Sequence, residues 1–366
     1  MQCGRMDVER AVRARVASGE VHGAAWLVDR GGSVTGGVAG VARPDSIFRL
    51  SSVTKPVVAA LAMALIDDGV LGLDDDVDEW LPELADRRAL RHPDSPLEDT
   101  VPADRPITVR DVLEFRLGIG VDFAGPFPGA VLGALAERGL PVGPPAPQQS
   151  PGPDEFLRIV GGVPLTAQPG KRWLYNTGAQ VLGVLLARAA GQPLPELLAA
   201  RLLDPLGMTD TGFHVPAERL SRLDRQWLGD DVYDEADGQW SRPPAFPDAA
   251  AGLASTVADL HAFATMLRAR GATVLSPQAV TAMTSAHVGA HDPDGHEGWG
   301  LGLGVFLSDA PDGRHAGTYG WDGGLGQTWW TDPVTDTIAI LLTTDAWTSP
   351  QPTPVFGDFW REAFGA

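Results

Sequence analysis

The sequence contains few of the residues that form disulfides, metal clusters or membrane spans. Cys3 is the only cysteine among 366 residues, which excludes an intrachain disulfide and a thiolate metal cluster, and we interpret it as an unpaired thiol. No run of about 18 apolar residues occurs, and the N-terminal segment has no apolar stretch of the kind found in secretion signals. The sequence therefore predicts a cytoplasmic protein that does not cross a membrane.

Positive charge is also scarce. The chain has 28 Lys and Arg residues against 47 Asp and Glu residues, which gives a formal net charge of -19. A surface that follows a phosphate backbone or an anionic bilayer needs clustered basic residues. We therefore predict no nucleic-acid partner and no membrane partner, and the sequence does not indicate an oligomeric state.

Hydrophobic periodicity outlines a sheet built from both ends of the chain. A helical pattern from Met6 to Ser18 precedes two strand-like runs that are joined through Gly31 and Gly32, as in a hairpin. An amphipathic helix is predicted from Val355 to Phe364. The strand-like runs are "GAAWLVDR" and "SVTGGVAGV" near the N-terminus and "GLGLGVFL", "QTWWTD" and "TIAILLTT" near the C-terminus.

The middle of the chain has a different character. It is rich in Pro, Asp and Gly and contains short helical patterns separated by loops. Strands at both ends with helices between them predict one sheet split by an inserted helical lobe. We predict a single unit over 1–366, in which 1–70 and 245–366 form an α/β lobe and 71–244 form a mainly helical lobe.

Lysine is rare in this sequence, and Lys55 and Lys171 are the only two lysines. Lys55 lies three residues after Ser52, at the start of an apolar run from Pro56 to Asp67 that predicts a buried helix. At that spacing the two side chains share one helix face. Unlike arginine, a buried lysine can lose its proton and act as a base toward a hydroxyl group. Alternatively, Ser52 caps the helix and Lys55 is a solvated side chain.

Two further stretches carry candidate site residues. In "PGKRWLYNTGAQVLG", Tyr175 precedes a helix, and its phenol is placed to relay a proton; the alternative is a core tyrosine with a satisfied hydroxyl group. In "YGWDGGLGQTWWTDP", the glycines suit a strand that a ligand approaches closely, with backbone N-H groups directed at a developing oxyanion.

Together these stretches resemble the serine beta-lactamase and penicillin-binding-protein superfamily, especially its class C-like (family VIII) esterases and related transacylases. "FRLSSVTKP" is similar to the family's nucleophile segment, and further landmarks follow in the family's order over nearly the whole chain. The resemblance implies a beta-lactamase/transpeptidase-like α/β (α+β) fold. In that fold an antiparallel sheet is flanked by N- and C-terminal helices and a helical lobe is inserted. The landmarks are "LGLDDDVDEWLPEL", "ITVRDVLEFRLGI", "PLGMTDTGF" and "AAGLASTVADLHAFATML".

The resemblance also implies roles for the candidate residues. Ser52 corresponds to the nucleophile, Lys55 to the general base and Tyr175 to the first residue of the family's second motif. The N-H groups of Ser52 and Gly324 are the expected oxyanion hole. Thr177 stands where the family usually has an asparagine.

The third family motif departs most from the lactamase pattern. Trp321, Asp322 and Gly323 stand where lactamases carry Lys-Thr-Gly, and we expect these three residues and Thr177 to bind substrate. A tryptophan cannot supply the cation that pairs with a penicillin or D-Ala carboxylate, so the sequence favours a neutral ester.

The sequence thus predicts a cofactor-independent serine hydrolase without a metal, most simply a carboxylesterase acting on small or medium acyl esters. One alternative is a D-amino-acid amidase, a peptidase or a beta-lactamase, which would require a cation such as Arg172 near the pocket. Others are an acyltransferase of secondary metabolism and a catalytically silent binding protein. The Pro-rich segment Leu140 to Pro153 either covers the pocket or lies outside it.

Three patterns imitate other sites. Gly300, Gly302 and Gly304 resemble a phosphate-binding loop, but their alternation with apolar residues favours a strand. "HDPDGHEG", from His291, is interpreted as a solvated turn rather than a metal site, and "DDDVDE", from Asp74, as an exposed acidic loop.

Overall fold

The structure is a computed structural model that describes residues 7–292, 294–349 and 351–365. Cys3 and the predicted helix start at Met6 lie outside these ranges. Within them the first predicted helix begins at Val8. The helices are α1 Val8–Ala17, α2 Thr54–Asp67, α3 Val109–Leu113, α4 Ala130–Glu137, α5 Pro153–Gly161, α6 Thr177–Ala190, α7 Leu194–Leu198, α8 Asp204–Leu206, α9 Val257–Arg268, α10 Pro277–Met283 and α11 Pro354–Phe364.

The strands come mainly from the two ends of the chain. They are β1 Gly23–Arg30, β2 Ser33–Gly40, β3 Phe48–Arg49, β4 Arg88–Leu90, β5 Thr100–Pro102, β6 Gln226–Leu228, β7 Asp231–Asp234, β8 Ala254–Ser255, β9 Glu297–Trp299, β10 Gly304–Phe306, β11 Tyr319–Gly323, β12 Gln327–Asp332, β13 Thr337–Thr343 and β14 Asp345–Ala346.

Seven of these strands form the main antiparallel sheet, in the order β2-β1-β13-β12-β11-β10-β9. The N-terminal hairpin therefore joins the sheet through β13, with Ala24 opposite Thr343 and Arg30 opposite Thr337. This arrangement confirms the predicted fold, in which segments from both ends of the chain share one sheet. The lobe boundaries at 70/71 and 244/245 remain predictions.

The two faces of the main sheet are covered by different helices. On one side, α1 and α11 bury an aromatic cluster that includes Trp330, Phe359 and Trp360. On the other, α9 contacts β1 and β13, and α2 lies in the same hydrophobic cluster, where it is buried from Thr54 to Leu65. A helix that is apolar all round packs in this way because every face contacts protein. The buried start of α2 is therefore held next to the sheet.

One predicted strand is shorter in the structure. The run "GLGLGVFL" is a strand only from Gly304 to Phe306, because Gly300 to Leu303 form a bend. Gly302 has φ +82° and packs so close to Ala59 that a Cβ on Gly302 would lie 2.3 Å from the alanine Cβ. The glycine thus permits contact with α2 rather than serving a strand.

In the part of the chain that the structure describes, no helix has both the length and the apolar character needed to cross a bilayer.

Candidate active site

The candidate nucleophile lies at a sharp turn between the short strand β3 and α2. Ser51 has φ +49°, a left-handed conformation that is uncommon for a residue with a side chain. Ser51–Val53 form one turn of 3₁₀ helix that leads into α2 at Thr54, so Ser52 precedes the α-helix rather than beginning it. The turn places Ser52 in the wall of a cavity.

Lys55 is held against the serine. Its Nζ donates to Ser52 Oγ at 2.8 Å and to the Ala250 carbonyl at 2.8 Å, and the residue is only 1% exposed. Burial lowers the pKa of Lys55 to about 7, because a buried ammonium loses its hydration. The amine therefore has a neutral form near physiological pH that can accept the Ser52 proton. The alternative of a solvated lysine is excluded by this burial.

Asp248 is a site residue that the sequence analysis missed. Its carboxylate accepts the Ala250 N-H at 2.8 Å, and the Ala250 carbonyl in turn accepts from Lys55. Burial raises the pKa of Asp248, while its negative charge opposes the lowering of the pKa of Lys55. No motif marks Asp248, since its proximity to Lys55 depends on the fold of a turn almost 200 residues away in sequence.

Tyr175 faces the Ser52-Lys55 pair. Its backbone exchanges two hydrogen bonds with Val121, both 2.8 Å, and Asn176 follows with φ +82° before α6 begins. The Lys55 Nζ lies 4.5 Å from the centre of the Tyr175 ring. Burial raises the pKa of Tyr175, although the hydrogen bonds from Ser52 and Trp321 to its hydroxyl group oppose this shift. The phenol therefore keeps its proton at neutral pH.

Trp321 contacts the candidate site by a hydrogen bond to Tyr175. The indole Nε1 donates to the Tyr175 hydroxyl oxygen at 2.8 Å, and because an indole N-H only donates, that oxygen must be the acceptor. Trp321 is not among the residues that line the cavity. Its observed contact is thus with the candidate proton relay.

We expect Trp321→Phe to lower kcat/KM for an ester substrate about tenfold, because the phenol loses the donor that orients it. Trp227→Phe is the matched control, since Trp227 stacks on His22 at 4.2 Å and has no contact with the site. Steady-state kinetics with p-nitrophenyl butyrate measures both. Equal activity of Trp321→Phe and Trp227→Phe would show that the indole N-H has no part in orienting Tyr175.

The other residues of the third motif have different positions. Asp322 accepts hydrogen bonds from Thr328 Oγ1 and Trp330 Nε1, and Trp330 belongs to the cluster under α1 and α11. A Cβ on Gly323 would lie 2.6 Å from the Leu50 carbonyl oxygen, so glycine lets β11 pass beside the nucleophile turn. The structure thus brings neither the Asp322 carboxylate nor Gly323 into the cavity wall, whereas Thr177 and Gly324 line it.

The candidate oxyanion donors are the backbone N-H groups of Ser52 and Gly324. Both residues line the same cavity. No backbone or side-chain acceptor in the described ranges takes either N-H. Two N-H groups beside a nucleophile are suited to stabilise the oxyanion of a tetrahedral intermediate.

The segment "HDPDGHEG" differs from the predicted solvated turn, because part of it is buried. The side chain of His291 is 7% exposed and stacks on Trp173 at 4.1 Å, and Glu297 lies close to it. Burial lowers the pKa of His291 to about 4 and raises the pKa of Glu297 to about 8. His291 belongs to an aromatic cluster with Trp299 behind Tyr175, and this long-range packing leaves no mark in the local sequence.

Across the described ranges, no cluster of three or more His, Cys, Asp or Glu side chains has the arrangement of a metal site. The predicted acidic loop is exposed from Asp74 to Asp76, and Asp74 pairs with Arg110 at 2.8 Å, whereas Val77–Glu79 form a 3₁₀ turn in which Val77 is buried.

A cavity of about 530 Å³ adjoins the candidate catalytic residues. The Pro-rich segment forms part of its wall from Leu140 to Ala146, so this segment lines the pocket rather than lying outside it. Two contacts fix the segment: the Tyr233 hydroxyl group donates to the Pro145 carbonyl, and Gln148 donates to the Gln239 carbonyl at 2.9 Å.

Arg172 is not a free cation in this cavity. Its guanidinium forms an ion pair with Asp122, which itself lines the cavity. The positive charge that an amidase or lactamase substrate would need is thus already neutralised by a neighbouring carboxylate.

A serine paired with a buried lysine, facing a tyrosine beside an antiparallel sheet, defines a serine acyl-transfer enzyme of the beta-lactamase/transpeptidase type. The family model described as Beta-lactamase matches residues 8–352. The chain belongs to the Beta-lactamase family.

Individual relatives agree with this assignment. The chain is 34% identical to Protein Rv1367c of Mycobacterium tuberculosis, covering 81% of this chain and 77% of that protein. It is 32% identical to Esterase EstB of Burkholderia gladioli, covering 83% and 79%. The solved structure of EstCE1, described as a hydrolase with promiscuous acyltransferase activity, matches with a TM-score of 0.83 and 26% identity, covering 98% and 97%. The protein is therefore a member of the serine hydrolases and acyltransferases of this superfamily.

Proposed function

We propose that the protein is a carboxylesterase that acts on small or medium acyl esters through an acyl-enzyme on Ser52. The observation that carries the proposal is the contact of a buried Lys55 with Ser52, at the edge of a cavity whose wall is mostly apolar. The name of the relative Esterase EstB supports ester hydrolysis.

The geometry supports a two-step reaction. Ser52 Oγ attacks the ester carbonyl and gives its proton to the Lys55-Tyr175 pair. The N-H groups of Ser52 and Gly324 stabilise the oxyanion, and the pair then returns the proton to the departing alcohol oxygen. Water then attacks the acyl carbon and gives a proton to the same pair. The bond from that carbon to Ser52 Oγ breaks, the pair returns the proton to Oγ, and the acid is released.

Two features disfavour an amidase, peptidase or lactamase. Trp321 occupies the position at which lactamases carry a cation, and its indole contacts Tyr175. Arg172 is paired with Asp122. Without a cation in the pocket, a substrate carboxylate would lose its hydration and gain no ionic partner.

Acyl transfer is the second candidate, supported by the described activity of the EstCE1 relative. The chemistry is the same up to the acyl-enzyme, after which an alcohol or amine replaces water. Hydrolysis and transfer are distinguished by the partition of the acyl-enzyme between water and an added alcohol.

The proposal is tested with p-nitrophenyl butyrate and a chromogenic cephalosporin in parallel, with and without added alcohol. We expect release of p-nitrophenol, formation of butyric acid and no cleavage of the cephalosporin. Cephalosporin cleavage at a comparable kcat/KM would contradict the esterase assignment, and a butyrate ester as the main product would favour the acyltransferase. No turnover of either substrate would favour a silent binding protein.

A further inference from the structure

The cavity beside Ser52 has a buried end and an exposed end. At the buried end, α4 contributes Leu132 and Leu135, which are 7% and 3% exposed. From α5 come Phe156 and Val160, which are 3% and 0% exposed. Together with Leu140 of the Pro-rich segment, these side chains form the floor of the cavity.

The exposed end of the cavity is defined by lining residues that are open to solvent. Phe123 and Phe127 also line it and are 62% and 59% exposed. Phe123 packs on Tyr175, with ring centres 5.3 Å apart. The exposed part of the lining thus adjoins the candidate proton relay, whereas the floor consists of buried apolar side chains.

The two halves of an ester have different requirements in an acyl-enzyme reaction. The acyl group remains covalently attached to Ser52 through both steps, whereas the alcohol leaves after the first and water takes its place. A closed apolar end suits the part that stays. An open end beside Tyr175 suits the part that must be protonated, depart and be replaced.

We propose that the floor is the binding site for the acyl chain and that the preferred substrates carry linear acyl groups of medium length. This inference rests on the proposed esterase function and extends it to the substrate class. The cavity volume of about 530 Å³ lies in the range of sites that enclose a small ligand. Because the lining is apolar, the transfer of an apolar acyl chain from water into the cavity is favourable, whereas the transfer of a polar substituent is not.

The test is a series of p-nitrophenyl esters from acetate to decanoate, compared with a series of alkyl butyrates from ethyl to octyl. In the wild type, kcat/KM is expected to rise about fourfold per added acyl methylene until the floor is filled. The alkyl butyrate series is expected to change much less, because its variable part lies toward solvent.

Leu135→Trp fills the floor. We expect it to lower kcat/KM for the octanoate at least about tenfold more than kcat/KM for the acetate. Val334→Trp is the control for an added indole, because Val334 is 64% exposed and does not line the cavity. If Leu135→Trp affects the alkyl series and spares the acyl series, the floor binds the alcohol and the proposal is overturned.

A second variant keeps the proposal falsifiable if the tryptophan prevents folding. Val160→Ala enlarges the floor and is expected to move the preferred acyl chain one or two carbons longer. Val184→Ala, a buried position in α6 that does not line the cavity, is the matched control. An unchanged chain-length profile in Val160→Ala overturns the proposal.

The proposed function and the acyl-chain site fail in different ways. Ester turnover that depends on Ser52 but is flat across the acyl series contradicts the acyl-chain site alone. Absence of Ser52-dependent turnover with every ester, acetate included, contradicts both.

Discussion

Ser52→Ala is expected to lower kcat/KM for p-nitrophenyl butyrate by at least about 10⁴-fold. The substitution removes the oxygen that forms the covalent intermediate, and neither Lys55 nor Tyr175 can replace it at that position. In other serine hydrolases the loss of the nucleophile leaves only the small acceleration due to binding and oxyanion stabilisation. Initial rates at saturating and subsaturating ester concentrations measure the effect.

Ser33→Ala is the matched control, because Ser33 is exposed at the start of β2 on the far edge of the sheet. It should retain wild-type kinetics. Thermal unfolding should be similar for both variants, since Ser52→Ala removes one hydroxyl group from a cavity wall. Turnover by folded Ser52→Ala at a rate close to that of the wild type would exclude Ser52 as the nucleophile.

Lys55→Met is expected to lower kcat/KM about 10³-fold while the protein remains folded, with a moderate loss of stability. The loss of activity follows from removing the general base. General-base catalysis typically raises the rate about 10²- to 10⁴-fold, and the middle of this range is about 10³-fold. Methionine fills a similar volume and removes the cost of burying an amine, but it leaves the Ala250 carbonyl without its donor and Asp248 without a nearby cation, so stability falls moderately. A lysine with a purely structural role would show the loss of stability without the loss of activity in the folded protein. Steady-state kinetics and a thermal melt on the same preparation distinguish the two.

Lys171→Met is the control, because Lys171 is the other lysine of the chain and is exposed.

The pH profile of the wild type supplies a second test. Only neutral Lys55 accepts a proton, so kcat/KM should rise with pH and reach half its maximum near the lysine pKa of about 7. Because the pKa of Tyr175 is raised, the phenol adds no loss of activity at moderately alkaline pH. A flat profile between pH 5 and 9, roughly the range in which most other side chains keep their charge, would contradict this assignment of the base.

The strand-like segments at the two ends of the chain and the proximity of Ser52 and Lys55 were predictable from sequence because both depend on local signals. Alternation and helical periodicity indicate the elements, and a spacing of three residues at a helix start puts two side chains on one face. The contact between Lys55 and Ser52 at 2.8 Å agrees with that expectation. The resemblance of the motifs added Tyr175, which the structure brings to the same place.

Residues whose setting depends on distant parts of the chain were not predictable in this way. Asp248 contacts the Lys55 environment through the Ala250 peptide, and His291 is buried by Trp173, which is more than 100 residues away. Gly302 looked like part of a strand because its local alternation is regular. Its conformation is instead set by the close approach of α2 at Ala59.

The third motif shows a further limit of prediction from sequence. Trp321, Asp322 and Gly323 are consecutive, and their family position suggests a common role in binding substrate. In the structure the Trp321 indole contacts Tyr175, whereas the Asp322 carboxylate contacts Thr328 and Trp330. Sequence position alone does not specify these partners, because they depend on how β11 packs against β12 and the helices.

The most direct test of the account is the identification of the acylated residue. Wild type and Ser52→Ala are mixed with p-nitrophenyl butyrate, quenched in acid within the first turnover and digested, and the peptides are analysed by mass spectrometry. The account predicts one butyryl group on the peptide that contains Ser52 in the wild type and none in the variant. A butyryl group on a different residue, or equal labelling of the two proteins, would contradict it.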